Sequence, residues 1–412
     1  MGTTPRIGVM GCLPRMPDAF PIDMRENAGN MIHGNAPFEM FPDVVFYRDP
    51  MFTRDGVNFH DYVNRECSHV LITLANTIRL GNPDGTRYAR FQSFLERCQV
   101  PIVIFGLGVQ SPTRELPADA LPTEAIELMK YLGDHTEKVG VRGEFTAAVF
   151  EHYAGVTNTF VTGCPSFFSR PSGFDDLAAA LAENRTGRAS FNGTKYGDPD
   201  EERMLIRAIQ ADAHWVESAN PAAARYHRDL QRGSSRPRPP GFLKQAIRRR
   251  DLSREQVEAY FAARFRIFRT PDAWYQFNRE QVGFTYGTRF HSNMASLLAG
   301  VPALWVTHDS RTEEFTDYLR VPALPKEEAT ELSPAELRLR ADYAPMYAAL
   351  PELFARFNQY LSTHSLPAIP PPAAATQIPE TASLSEAQES GSSPSIVGRV
   401  KRVARRILSA GG

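Results

Sequence analysis

Arg289 and His291 stand two residues apart in the run Gly283-Phe-Thr-Tyr-Gly287-Thr288-Arg289-Phe290-His291-Ser292. An arginine offers a permanently charged planar fork that fits phosphate or carboxylate. A histidine exchanges a proton near neutral pH. The apolar run Val282 to Tyr286 predicts a strand, and the small and apolar residues from Ser292 to Ala299 predict a helix. The Arg-x-His unit therefore falls on a strand-to-helix turn. Ligands of open α/β sheets bind beyond the carboxyl ends of strands, and the free N–H groups at a helix start attract anions. The unit reads as an anion site with a proton-transfer group beside it. Spacing alone is equally compatible with Arg289 pairing a surface carboxylate and His291 capping the helix.

Three other segments could serve such a site. In Val139-Gly140-Val141-Arg142-Gly143-Glu144 a short strand again ends at an arginine before a helix, and Glu144 suits the first helical turn. Arg142 could be the second cation of an anion pocket, or a surface arginine paired with Glu144 or Glu137. Gly106 and Gly108, in Phe105-Gly106-Leu107-Gly108-Val109, would let backbone approach a ligand closely. The third glycine of the dinucleotide fingerprint is missing. The polar stretch Glu26 to Asn35 holds Asn27, Gly29 and Asn30 and predicts a loop; asparagine donates and accepts, which suits sugar hydroxyls.

Strands that could carry these turns are the apolar runs Ile7 to Met10, Val44 to Tyr47, His69 to Ala75, Ile102 to Gly106 and Phe160 to Thr162. Helix-like segments lie between them at Thr86 to Cys98, Thr123 to Leu132 and Glu144 to Tyr153. The alternation restarts after Ser172. Strand-like runs follow at Trp215 to Glu217, Arg266 to Phe268, Val282 to Tyr286 and Ala303 to Val306. Alternating strands and helices predict parallel sheets covered on both faces. The expected organisation is an N-terminal α/β domain over 1–170, a second over 171–364, a Pro/Ser/Ala-rich linker over 365–394 and a basic amphipathic tail over 395–412. Pro334 to Leu361 reads as helix interrupted by Pro345 and Pro351, closing the fold.

The chain has 412 residues, of which 42% are hydrophobic and 23% charged, and its net charge is -1. That is too long for one ordinary core, and the charge balance excludes a polycation built to coat nucleic acid. Cys12, Cys67, Cys98 and Cys164 are scattered, which fits a reducing compartment better than a disulfide framework. The N-terminus shows no basic segment leading into a long apolar one, so no secretory signal is predicted. A cytoplasmic location is expected. In the tail, Ile396, Val400, Val403 and Ile407 form an apolar stripe among Arg399, Lys401, Arg402, Arg405 and Arg406. That pattern predicts contact of 395–409 with an anionic membrane surface, at the inner face of the membrane. A second basic run, Arg225 to Arg250, reads as a solvated face.

Taken in order, Val141-Arg142, Gly163-Cys164-Pro165-Ser166, Arg289-Phe290-His291, Ala299-Gly300-Val301-Pro302 and His308-Asp309-Ser310-Arg311 resemble the polysaccharide pyruvyltransferase family. The resemblance implies two Rossmann-like domains facing a central cleft, a GT-B-like α/β fold. It implies phosphoenolpyruvate as donor and a saccharide acceptor, lipid-linked saccharides included, with no cofactor. Arg142, Arg289 and His291 match its catalytic positions, and Gly106, Gly108 and Phe290 join them around the donor. Asn27, Gly29, Asn30 and Arg311 would face the acceptor. Asn30, Gly143 and Cys164 stand where an aspartate is usual, and Arg311 where a lysine is. The residues themselves show no H-x-x-x-H or clustered-aspartate pattern, so no metal is expected.

Two rival functions use the same scaffold. A nucleotide-sugar glycosyltransferase would need an acidic residue on the ribose, for which Glu313 and Glu314 are candidates. A saccharide- or membrane-binding scaffold would bind without turnover.

Overall fold

The computed structural model describes residues 6–376, Arg25 and Pro112 excepted. Its first half is built on the strands β1 (Ile7–Gly11), β2 (Val44–Phe46), β3 (His69–Thr73), β4 (Asn76–Arg79), β5 (Ile102–Phe105), β6 (Gly108–Gln110), β7 (Val139–Val141) and β8 (Thr159–Val161). A four-stranded sheet runs β2-β1-β3-β5, and the pairs β4-β6 and β7-β8 stand beside it. All these pairings are parallel, with Ile7 opposite both Val44 and His69, and Val70 opposite Ile102. A single bridge, Leu107 to Val141, links the β4-β6 and β7-β8 pairs. Every residue of β3 and β5 is buried, as strands covered by helices on both faces must be.

The second half contains β9 (Arg188–Asn192), β10 (His214–Val216), β11 (Phe265–Arg266), β12 (Val282–Gly287), β13 (Ala303–Thr307) and β14 (Ala323–Pro325). They form one parallel sheet in the order β11-β10-β9-β12-β13-β14. The protein is thus a pair of Rossmann-like α/β units with a GT-B-like cleft between them.

The helices that shape the cleft are α1 (Asn30–Met40), α2 (Glu144–Ala154), α3 (Phe290–Leu297), α4 (Ser310–Leu319) and α5 (Ala344–Thr363). In place of the loop expected up to Asn35, α1 begins at Asn30. Its Gly34 and Pro37 disguise it in the sequence. Gly34 is needed because a side chain there would overlap the Cys12 carbonyl at the end of β1. The eight residues of α3 are all buried, which explains its small, apolar composition on every side. The helix expected over Pro334 to Leu361 is interrupted ahead of Pro345, where a short helix, Pro334–Leu339, ends before α5 begins, but not at Pro351. Pro345 lies in the first turn of α5, where a missing N–H costs nothing, and Pro351 lies inside it.

Helix α5 ties the two halves together. Near its start, the Tyr343 hydroxyl donates to the Ala303 carbonyl at 2.9 Å and the Tyr347 hydroxyl to Phe174 at 2.8 Å. Near its end, the Tyr360 hydroxyl donates to the Ile104 carbonyl of β5 at 2.7 Å.

Residues 365–376, assigned by composition to a linker, are packed instead. Leu366 and Ile369 are buried, Asn358 exchanges two hydrogen bonds with the Ile369 backbone, and the Ala374 N–H donates to Asp175. Two large apolar side chains suffice to dock a short segment against α5. The rest of the expected linker and the basic tail, 377–412, lie outside the described residues. Among the described residues no helix is long and apolar enough to cross a membrane.

Candidate active site

Asn27, Gly29, Asn30, Asn76, Arg142, Thr194, Thr288, Arg289, Phe290, His291, Arg311 and Phe315 line one cavity between the two halves. The sequence segments singled out for chemistry therefore converge, with Gly106 and Gly108 as the exceptions.

Arg142 follows β7 and precedes α2, and it is 1% exposed. Its Nε donates to the Gly106 carbonyl at 2.6 Å, one terminal nitrogen to Asn76 Oδ1 at 2.9 Å, and the other to the Leu74 carbonyl at 3.3 Å. Its guanidinium carbon lies 4.7 Å from the centroid of the Phe315 ring. The ion pair with Glu144 or Glu137 is absent, and among the described residues Arg142 makes no salt bridge. Burial lowers its pKa to about 10, so it stays charged. A buried cation held only by neutral groups is a strong attractor for an anion.

Gly106 and Gly108 are not among the residues that line the cavity; they lie against Arg142. Gly106 has φ +65°, and a Cβ there would press on Pro165. A Cβ on Gly108 would stand 2.6 Å from Arg142 Cδ. The two glycines make the seat in which the Arg142 side chain lies.

Gly143 has extended backbone, so its conformation does not call for glycine. Space does: a side chain at 143 would overlap Glu314 of α4. The Glu314 carboxylate accepts from the Thr146 N–H at 2.8 Å and the Thr146 hydroxyl at 3.1 Å, at the start of α2. Burial raises its pKa. A carboxylate from the second half thus occupies the space beside Arg142 that an aspartate at 143 would otherwise reach.

Arg289 caps α3 and is fixed by the end of β9. Its backbone N–H donates to Asn192 Oδ1 at 2.9 Å and its Nε to the Gly193 carbonyl at 2.6 Å. Asn192 in turn donates to the Tyr286 carbonyl at 3.2 Å and to Asn293 Oδ1 at 2.7 Å. The expected surface partner of Arg289 is replaced by a buried one: a terminal nitrogen lies 3.7 Å from Glu217, whose side chain is fully buried. Arg311, in the first turn of α4, lies 3.2 Å from Asp309, and its Nε is buried without a partner. Its guanidinium is pushed down by burial and by the neighbouring charges of Arg289 and Arg79, with Asp309 opposing. Three guanidinium groups therefore share the cavity, offset by Glu217 and Asp309.

Phe290 stacks on Phe315 with ring centroids 4.1 Å apart, and Trp305 donates to the Phe290 carbonyl at 3.1 Å. These contacts fix the first turn of α3 and hence His291. Burial first, then the neighbouring His33 and the positive charges of Arg142 and Arg311, hold His291 well below its ordinary pKa. Its Nε2 lies 3.3 Å from Cys164 Sγ. Cys164, of unassigned role in the sequence, is fully buried behind the cavity, and burial raises its thiol pKa. Asn27 accepts from the Gly29 N–H at 2.9 Å, shaping the turn that starts α1 against His291. The helix starts of α1 and α3 both face the cavity, adding partial positive charge.

Asn76, Thr194, Thr288, Phe315 and Glu217 were not singled out from sequence. Thr288 lies inside the Arg-x-His run and could have been. The others sit at strand ends or inside a helix, where type and spacing give no signal.

The fold and the site thus define a two-unit parallel α/β protein with a buried, arginine-lined cavity between its halves. A sequence profile described as polysaccharide pyruvyl transferase matches residues 38–310, and the chain belongs to that family. The match takes in Arg142, Arg289 and His291 and leaves out Asn27, Gly29, Asn30 and Arg311. No curated protein matches the chain. Among solved structures it is similar to a Methanocaldococcus jannaschii UDP-GlcNAc 2-epimerase in complex with UDP-GlcNAc and UDP, at 9% identity over 80% of this chain and 91% of that one, TM-score 0.39. It is similar to Anabaena HepE in complex with UDP and glucose at 9% identity, covering 88% and 99%, TM-score 0.39. With the trehalose-6-phosphate synthase OtsA the identity is 12%, the coverage 87% and 98%, and the TM-score 0.45.

Proposed function

We propose that this protein transfers a pyruvyl group from phosphoenolpyruvate to two hydroxyls of a saccharide, forming a ketal and releasing phosphate. The observation that carries the reading is the buried, unpaired Arg142 sharing one cavity with Arg289, Arg311 and His291. Phosphoenolpyruvate presents a phosphate and a carboxylate, so its binding site must concentrate positive charge. Arg142 and Arg289 clamp the donor, and Arg311, first assigned to the acceptor, adds a third cation beside them. Asn27, Gly29 and Asn30 remain the candidates to meet the acceptor.

His291 begins neutral. It takes up a proton from solvent when the anionic donor binds. The negative charge of the donor beside the imidazole raises its basicity. The imidazolium then gives the proton to C3, which leaves C2 electron-poor, and the first sugar hydroxyl bonds to C2 and returns its proton to the imidazole. Phosphate leaves C2 with the electron pair of the C–O bond, stabilised by the arginines. The second hydroxyl closes the ketal and gives up its proton to phosphate or solvent. Holding both hydroxyls near C2 supplies a large orientation effect.

Neither acidic candidate of the nucleotide-sugar alternative lines the cavity. Glu314 is committed to the start of α2, and Glu313 lies 3.7 Å from Arg114. Thermal shift with phosphoenolpyruvate against a set of UDP-sugars, followed by acceptor-dependent phosphate release, tests the reading. Stabilisation by a UDP-sugar alone would overturn it.

A further inference from the structure

Behind the arginines, His33, Cys164 and His291 come together from three separate elements: α1, the turn after β8, and α3. All three are buried. Cys164 Sγ lies 3.3 Å from His291 Nε2 and 3.9 Å from His33 Nδ1, and the three ligand atoms all lie within 4.8 Å of one another. The two imidazoles stack with their planes 16° apart. We propose that these residues form a binding site for a cation of the Zn²⁺ class, and that its occupancy withdraws His291 from proton transfer. The second half of that statement rests on the role given to His291 above; the first does not.

The distances suit such an ion. With metal–sulfur bonds of about 2.3 Å and metal–nitrogen bonds of about 2.0–2.1 Å, tetrahedral geometry sets sulfur and nitrogen ligands about 3.5 Å apart. The observed separations of 3.3 and 3.9 Å fall on either side of that value. The donor set also selects the ion. One thiolate and two imidazoles suit Zn²⁺ or Co²⁺ and disfavour Mg²⁺ and Ca²⁺, which take oxygen ligands. Three protein ligands leave a fourth position for water or for an oxygen of an anion in the cavity.

The charges balance through the thiol. As the ion binds, Cys164 loses its S–H proton to solvent and the resulting thiolate bonds to the metal. Ser166 Oγ, 3.0 Å from the sulfur, can donate to that thiolate. Arg142 opposes a nearby dication and favours a nearby thiolate, so it works against the metal and with its anionic ligand. The ligand-free cluster is poorly satisfied. His33 Nε2 is buried with no hydrogen-bond partner. Neutral imidazoles are the form that ligates.

Cobalt is the probe. Metal-free full-length protein titrated with Co²⁺ is expected to take up one equivalent, with visible bands of tetrahedral cobalt and a near-ultraviolet thiolate-to-metal band. Cys164→Ala should abolish the near-ultraviolet band, and His33→Ala should weaken binding by about tenfold or more. Near-ultraviolet circular dichroism of each variant, and the milder Cys164→Ser and His33→Gln, distinguish lost ligation from lost folding. In wild type, Zn²⁺ should displace cobalt and suppress phosphate release from phosphoenolpyruvate, with recovery on chelation. His33→Ala should show less suppression relative to its own metal-free rate. Absence of stoichiometric cobalt binding, or an unchanged cobalt spectrum in folded Cys164→Ala, overturns the site. A normal cobalt spectrum with no phosphate release from any metal-free form would leave the site standing and sink the pyruvyl-transfer reading instead.

Discussion

Arg142, from the first half of the chain, lies with its guanidinium carbon 4.7 Å from the ring centroid of Phe315, from the second. Phe315 in turn stacks on Phe290, which immediately precedes His291. A cation and two rings are thereby stacked across the cleft, with the His291 imidazole edge-on to Phe290, ring centroids 5.3 Å apart. Arg142 needs this support because its three hydrogen-bond acceptors are neutral and, among the described residues, it makes no salt bridge.

Arg142→Lys keeps the charge and loses the planar fork that reaches Gly106, Asn76 and Leu74 together. The donor KM should rise about tenfold or more, since an arginine in a forked seat is not replaced by a point charge. Steady-state phosphate release at varied phosphoenolpyruvate reads this directly; an unchanged KM removes Arg142 from the donor site.

His291→Gln preserves much of the side-chain volume and abolishes proton exchange. Its kcat should fall by roughly 10²–10⁴, while donor affinity, set by the arginines, changes little. Turnover near that of wild type would exclude His291 as the acid–base group.

Gly143→Ala drives a methyl into Glu314, and overpacking of this kind costs about 1–3 kcal/mol. The Tm should drop. Combining it with Glu314→Ala should cost less than the sum of the two single changes, because the second removes the obstacle to the first. Strict additivity in chemical denaturation would show that the contact is not what requires glycine.

Asn192→Leu leaves the Arg289 N–H and the Tyr286 carbonyl without their side-chain partner. Buried groups left unpaired cost about 1–3 kcal/mol each. Both stability and turnover should fall, with the loss of turnover exceeding that expected from the unfolded fraction at the assay temperature. A stability loss alone would mean that Arg289 holds its place without Asn192.

His33, His214 and His364 are buried and kept neutral, with pKa values of about 3, 4 and 4, by burial first and by positive neighbours. The unfolded chain binds protons at each near 6.5, so below that pH it binds more protons than the native state. Their contribution to stability is complete above about pH 6.5 and is lost as pH falls toward 4, with a slope of up to about 1.4 kcal/mol per pH unit for each histidine. Urea midpoints at pH 7.5, 6 and 5 should decline in that order; equal midpoints would contradict the burial of these imidazoles in the neutral form.

The sequence by itself determined the alternation of elements. The runs Ile7 to Met10, Ile102 to Gly106 and, but for Thr285, Val282 to Tyr286 are apolar because parallel strands are covered on both faces, and that pattern needs no knowledge of the fold. It also exposed Arg289 and His291, since a cation and an imidazole at a strand-to-helix turn differ from their apolar surroundings. Strand β9, Arg188-Ala-Ser-Phe-Asn, gave no such signal although it lies between β10 and β12. Its polar Ser190 and Asn192 are tolerated in the interior because partners from other elements surround them, and Asn192 is bonded to residues about a hundred positions away. Only tertiary structure could decide that Arg142 is buried without a counter-ion, that Gly106 and Gly108 seat it, and that Glu314 fills the space beside Gly143. Each of those facts depends on which distant atoms arrive at one point, and residue type and local spacing carry no record of that arrival.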